Sequence, residues 1–210
     1  MIGLLRVSQK RRRYDRAQDI PGFAGLPGTE ISACLDEVMA LGLVARDHGR
    51  YTIVDWSVER VVEHLALAAA ILSLSAYQIA GHSADADFGR LERINSALSA
   101  LDPSDPANLL AGAYLDYQFH LETVRLSGNR TALTAFARSI PPAAWIAGAN
   151  HFELDEALSS IAEHERLIHY MRQGDAMRAR DAAAFHLEDA IAGIRQAGMD
   201  RLENYPALTA

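Results

Sequence analysis

Cysteine is nearly absent. Cys34 stands alone among 210 residues, so no internal disulfide can form and small disulfide-stapled scaffolds are excluded. The chain does not open on a basic stretch followed by an apolar core, so with its single thiol it is expected in a reducing cytoplasm. Long apolar runs are missing as well. The longest, Leu65 to Ala80, is broken by Ser73, Ser75 and Gln78, too short and too polar for a bilayer span, so it reads as a buried helix with no membrane partner. Positive charge is scarce too: a formal net charge of -7 excludes a uniformly basic nucleic-acid coat. Internal repeats and low-complexity tracts do not occur. Nor do the hydrolase signatures His-Glu-x-x-His and Gly-x-Ser-x-Gly, and no enzyme is expected.

What is present suits a folded, mainly helical protein. Half the residues are hydrophobic and 22% are charged, which excludes disorder and allows a sizeable core. Charge is unevenly placed. Residues 1–54 carry 8 Arg/Lys against 6 Asp/Glu, whereas residues 55–210 carry 12 against 21. The two parts are therefore expected to do different jobs, with a boundary between 55 and 56.

The first part opens on a basic run, Arg6 and Lys10 to Arg13, and is then punctuated by Pro21-Gly22 and Pro27-Gly28. Thr29 is expected to cap a helix whose apolar stripe is Ile31, Leu35, Val38 and Met39 and which stops at Gly42. Two β-prone runs, Leu43 to Arg46 and Arg50 to Val54, flank Asp47-His48-Gly49 as in a hairpin. Helix, helix and hairpin in that order predict a winged helix-turn-helix over 1–55. From residue 56 to 210 the pattern is all-α, six or seven helices punctuated by Gly, Pro and Asn, including stretches of about 57–81, 106–127, 152–173 and 176–196.

Four residues in this second part carry chemistry. Asp116 and His120, four residues apart, project from one face of a single predicted helix. His164 lies ten residues before Gly174, and His186 eleven after Asp175. If the two helices fold back about that hinge, each ring sits roughly 15–17 Å from the turn and the pair shares one level. Three imidazoles and a carboxylate form an N/O donor set suited to a divalent metal, Zn2+, Ni2+, Mn2+ or Fe2+. His151 is a possible substitute ligand. His169, His48, His64 and His82 are expected to serve packing or solvent contact.

The order Asp116-x-x-x-His120, Ser127-Gly128-Asn129, Glu163-His164, Gly174-Asp175, Ala179 and His186-Leu187 resembles the effector-binding FCD domain of GntR-type bacterial transcription regulators over about residues 57–197. The resemblance implies an all-helical bundle holding a divalent metal, usually zinc, through Asp116, His120, His164 and His186. It also implies a small organic acid effector whose carboxylate completes the coordination sphere. Tyr117, Phe119 and Phe185 are expected to line the effector site, with Tyr114 a further aromatic candidate. Where the family often presents an arginine to a second carboxylate, this chain has Leu65, with Ala69 near it, so either a monocarboxylate with an apolar body or a metal held without any organic effector is expected.

Residues 25–50 likewise resemble the family's winged module in outline. The family's recognition-helix arginines are replaced by Gly28 and Ser32. DNA contacts are therefore expected from Arg11, Arg12 and Arg13, from Thr29 and Ser32, and from Arg46 and Arg50 on the wing. A homodimer reading paired half-sites follows from the same resemblance. The alternative is a metal- or small-molecule-binding sensor, or a partner-binding protein, that has lost sequence-specific DNA binding.

Overall fold

The computed structural model describes residues 13–20, 22–102, 105, 108–149 and 154–197. Arg11, Arg12 and His151 lie outside them. The described chain is mainly helical, with one small sheet near its start. Strand β1 (Arg13–Tyr14) is followed by a 3-10 turn at Ala17–Asp19, helix α1 (Gly28–Ala40), and strands β2 (Val44–Asp47) and β3 (Arg50–Ile53). Seven helices follow: α2 (Val58–Gly81), α3 (Gly89–Ser99), α4 (Leu109–Leu126), α5 (Arg130–Ser139), α6 (Pro142–Ala149), α7 (Leu154–Arg172) and α8 (Ala176–Ala197). That is the upper of the two helix numbers expected for this part.

The hairpin forms where the sequence places it. His48 and Gly49 both have positive φ, +46° and +79°, the backbone of a two-residue type I′ turn whose twist matches the flanking strands. Val44 faces Ile53 across the ladder, and both are buried. Two details differ from expectation. Strand β1, too short to show any alternation, pairs with the free edge of β3 through Tyr14 and Tyr51 to give a sheet of order β1-β3-β2. Helix α1 starts one residue before Thr29, with Pro27 at its N-cap and no side-chain cap. Proline's fixed φ and missing N–H suit that entry without a capping hydroxyl.

Helix α1 ends in a Schellman motif: Gly42 N–H donates to Met39 O and Leu43 N–H to Val38 O. This close ending sets Gly42 against Pro141. Leu41 O accepts from Ala143 N–H at 2.8 Å, and Trp56 Nε1–H donates to Gly42 O at 3.3 Å. The start of α6 is thus bonded directly to the end of α1. Helix α6 itself starts at Pro142, directly after Pro141, and is almost wholly apolar and buried. A segment buried all round has no polar face, so no amphipathic period announces it.

Helix α2 is the spine of the bundle. Ser57 Oγ caps it by accepting from Arg60 N–H. Val61, Leu65, Ala68, Leu72, Ala76 and Ile79 are buried along one side. It is long and apolar enough to cross a membrane by length and composition, but half of its most apolar window is buried within the protein, chiefly against α8. Leu67, Leu74 and Tyr77 remain exposed on the opposite side.

Candidate metal centre

Helices α4, α7 and α8 bring Asp116, His120, His164 and His186 together. One donor atom from each lies within 4.8 Å of all the others. The register argument holds because α7 ends in a Schellman motif, Gly174 N–H to Met171 O and Asp175 N–H to Tyr170 O. Asp175 Oδ1 then caps α8 through Arg178 N–H. The tight reversal leaves the histidines of α7 and α8 at one height, ring centroids 4.8 Å apart. His186 Nε2 is 3.1 Å from His120 Nε2, and Asp116 oxygens lie 3.7 Å from His120 Nε2 and 3.4 Å from His164 Nε2.

The surroundings set which atoms face inward. His164 Nδ1 lies 3.0 Å from Asn95 Oδ1, and the Asn95 amide is oriented by its own Nδ2–H donating to Ile161 O. His164 Nδ1 therefore carries the proton and Nε2 presents a lone pair. His186 Nδ1–H donates to Glu163 Oε2 at 2.8 Å, which leaves its Nε2 free for a ligand in the same way. Asp116 accepts from Trp145 Nε1–H and from the Ser160 hydroxyl. Phe119 stacks on His164 with centroids 3.8 Å apart and fixes the ring plane.

Burial keeps His120 and His164 neutral. Desolvation, reinforced by the neighbouring His186, holds His120 and His164 well below the ordinary histidine value of 6.5. Desolvation also raises Asp116, against the opposing pull of His186 and its hydrogen bonds. Two buried ring nitrogens, His120 Nδ1 and His164 Nε2, have no hydrogen-bond partner. An unpaired polar atom in a closed site costs about 1–3 kcal/mol, and a cation between the four donors would satisfy His164 Nε2. The residues present therefore fit a divalent metal: three ring nitrogens, one carboxylate, and acceptors behind two of the rings.

A cavity of about 20 Å³ opens beside Asp116 and His186, walled by Leu65, Trp145, Gly148 and Ile194. It holds one water-sized ligand. Leu65 lies on this wall, so no cation faces a second carboxylate there. None of the expected effector residues does. Tyr117 is buried against Phe136 and Trp145, Phe119 is committed to His164, and Phe185 is 57% exposed. Neighbouring helix residues diverge by about 100°, so turning His186 inward turns Phe185 out. Trp145, Asn95 and Ser160 carry no role readable from sequence, and Glu163 enters there only as the neighbour of His164 in the family's order. Asn95 and Ser160 carry no spacing signal, while Trp145 lies on the helix that periodicity did not reveal.

Those expected DNA contacts that lie among the described residues are all exposed on the N-terminal part. Thr29 and Ser32 are exposed on α1, Arg13 on β1, and Arg46 and Arg50 on the hairpin. Arg50 pairs with Asp15 at 3.0 Å, and Arg46 lies over Tyr51. Helix α1 carries Glu30, Asp36 and Glu37 and no Arg or Lys.

A family model described as the FCD domain matches residues 63–189, a span that includes all four candidate ligands. Among curated proteins nothing matches. One similar solved structure is that of Lar, which controls the expression of the Listeria monocytogenes agr system and mediates virulence. It is 12% identical, with 82% of this chain and 81% of that chain covered and a TM-score of 0.64. Another is a transcriptional regulator (GntR family member) from Pseudomonas syringae pv. tomato str. DC3000, 15% identical, with 90% and 78% covered and a TM-score of 0.49.

Proposed function

The chain belongs to the FCD domain family, and from that premise we propose that it is a ligand-responsive transcription regulator of the GntR type. In this reading the helical part, 56–210, holds a divalent metal through Asp116, His120, His164 and His186. The winged part, 1–55, binds DNA. The observation that carries it is the buried four-donor cluster whose neighbour, Trp145, sits on the helix bonded to the end of α1. A change at Asp116 displaces Trp145, and α6 passes the displacement to Leu41 and Gly42. Zinc suits the donor set, and a bound metal would supply charge to hold a carboxylate oxygen of a small organic acid. The 20 Å³ cavity accepts a water as it stands; an acid enters with movement of Trp145.

DNA binding would use Arg13, Arg46 and Arg50, with Thr29 and Ser32 donating from α1. A homodimer would cover the exposed stripe Leu67, Ala70, Leu74 and Tyr77 of α2. The setting is cytoplasmic. The test is metal analysis of wild type and His164→Ala, coupled to a mobility shift on the protein's own upstream DNA across a salt series. Metal lost in the variant and specific binding in the wild type support the proposal; equal metal content removes His164 from the shell. A second reading, a sensor that no longer reads an operator, is favoured by the acidic α1, which repels phosphate. Binding to the upstream DNA no tighter than to random DNA, gained on Gly28→Arg with Ser32→Arg, would select it.

A further inference from the structure

A second cavity lies away from the metal cluster. A cleft of about 650 Å³ lies where the N-terminal part meets the bundle, within the range of sites that enclose small organic molecules. Met39, Val44 and Val54 from one side and Trp56 and Leu67 from the other give it an apolar lining, and Arg60 and Arg138 also line it. Among the described residues neither arginine has a carboxylate within ion-pair distance. Arg60 is pre-ordered: it lies over the Trp56 ring at 4.8 Å and donates to Asp55 O. Glu63 is the one carboxylate on the lining, so two guanidiniums leave an excess of positive charge. His64 Nδ1–H donates to Ser139 O at 2.6 Å, which leaves Nε2 as an acceptor.

From this arrangement we infer that the cleft is a second binding site, for a monoanionic organic molecule with a flat apolar body. The body packs on Met39 and Val54, and the anion sits between Arg60 and Arg138. Arginines flanking an apolar floor match an amphipathic anion in both charge and shape. Its walls come from both parts of the chain, with Gly42 and Pro141, which touch each other, also on the lining. A ligand held there senses how the two parts are placed. This inference does not depend on a metal being bound.

The probe is 2-naphthoate, titrated calorimetrically into the full chain, with uncharged 2-naphthamide as its control and with a chelator present throughout. Binding of the acid in preference to the amide is expected. Arg60→Gln with Arg138→Gln should weaken it by about tenfold or more, as for lost charge-assisted hydrogen bonds. Ala45→Trp, which fills the cleft from the exposed face of β2 and keeps both arginines, should abolish it. Met177→Ser, exposed at the start of α8 and off the cleft lining, should leave it unchanged. Equal affinity for acid and amide, wild-type affinity in Ala45→Trp, or loss in Met177→Ser would each overturn the proposal. Loss of metal on chelation leaves this result unaltered, so its failure is distinct from failure of the metal site.

Discussion

Gly42→Ala is the sharpest probe of how the N-terminal part is seated on the bundle. Gly42 has φ +82°, where a Cβ costs about 1–2 kcal/mol; the less flexible unfolded chain returns about 0.4–1 kcal/mol. A Cβ there would also lie 2.6 Å from Pro141 Cβ and 3.2 Å from its Cγ. Pro141 is a rigid ring at the entry to α6, so one side must move, and overpacking of this kind costs about 1–3 kcal/mol. Gly25 supplies the control: φ +84° and nothing within 4 Å of an added Cβ. Gly25→Ala should therefore lose about 1 kcal/mol and Gly42→Ala about 2–4 kcal/mol, the difference reporting the contact alone. Urea denaturation followed by helical circular dichroism measures both. Equal losses would show that the two parts are not pressed together at Gly42, and the route from α6 to α1 would fall with that result.

Removing metal should lower the melting temperature: a ligand at a hundred times its dissociation constant contributes about 2.7 kcal/mol, or about 5–11 °C for a chain of this size. An unchanged melting curve after chelation would deny that coupling. Asn95→Leu deprives His164 Nδ1–H of its acceptor and should weaken metal binding about 10–100-fold, read by competition with a chromophoric chelator; wild-type affinity would remove Asn95 from the orienting role. Leu74→Glu should shift a dimer to monomer in sedimentation equilibrium, and a dimer that survives it lies on another face. The metal-free protein should be most stable above pH 6.5. His120 and His164 stay neutral when folded because their values are lowered, while the unfolded chain takes up protons as pH falls through 6.5. Stability should therefore decline between about pH 6.5 and 5, and flat denaturation midpoints over that interval would contradict the assigned burial.

Periodicity, punctuation and spacing were enough to read the hairpin about His48-Gly49, the long helix from Ser57 to Gly81, and the hinge at Gly174-Asp175. Each depends on local backbone preference, which neighbouring residues impose whatever the rest of the chain does. The meeting of the four candidate ligands was legible for the same reason: a four-residue step and two equal distances from one turn are properties of helices, so geometry follows from counting. What surrounds the ligands was not. Asn95 reaches His164 from α3, and Trp145 reaches Asp116 from a helix with no polar face to betray it. These contacts join residues 29 and 69 positions apart, and no local pattern encodes such a meeting. The tertiary packing also decided that Phe185 faces solvent, that the room beside Asp116 is one water wide, and that the larger cleft lies between the two parts. Side-chain direction and empty volume arise only once separate helices are stacked, because each depends on what the other elements fill.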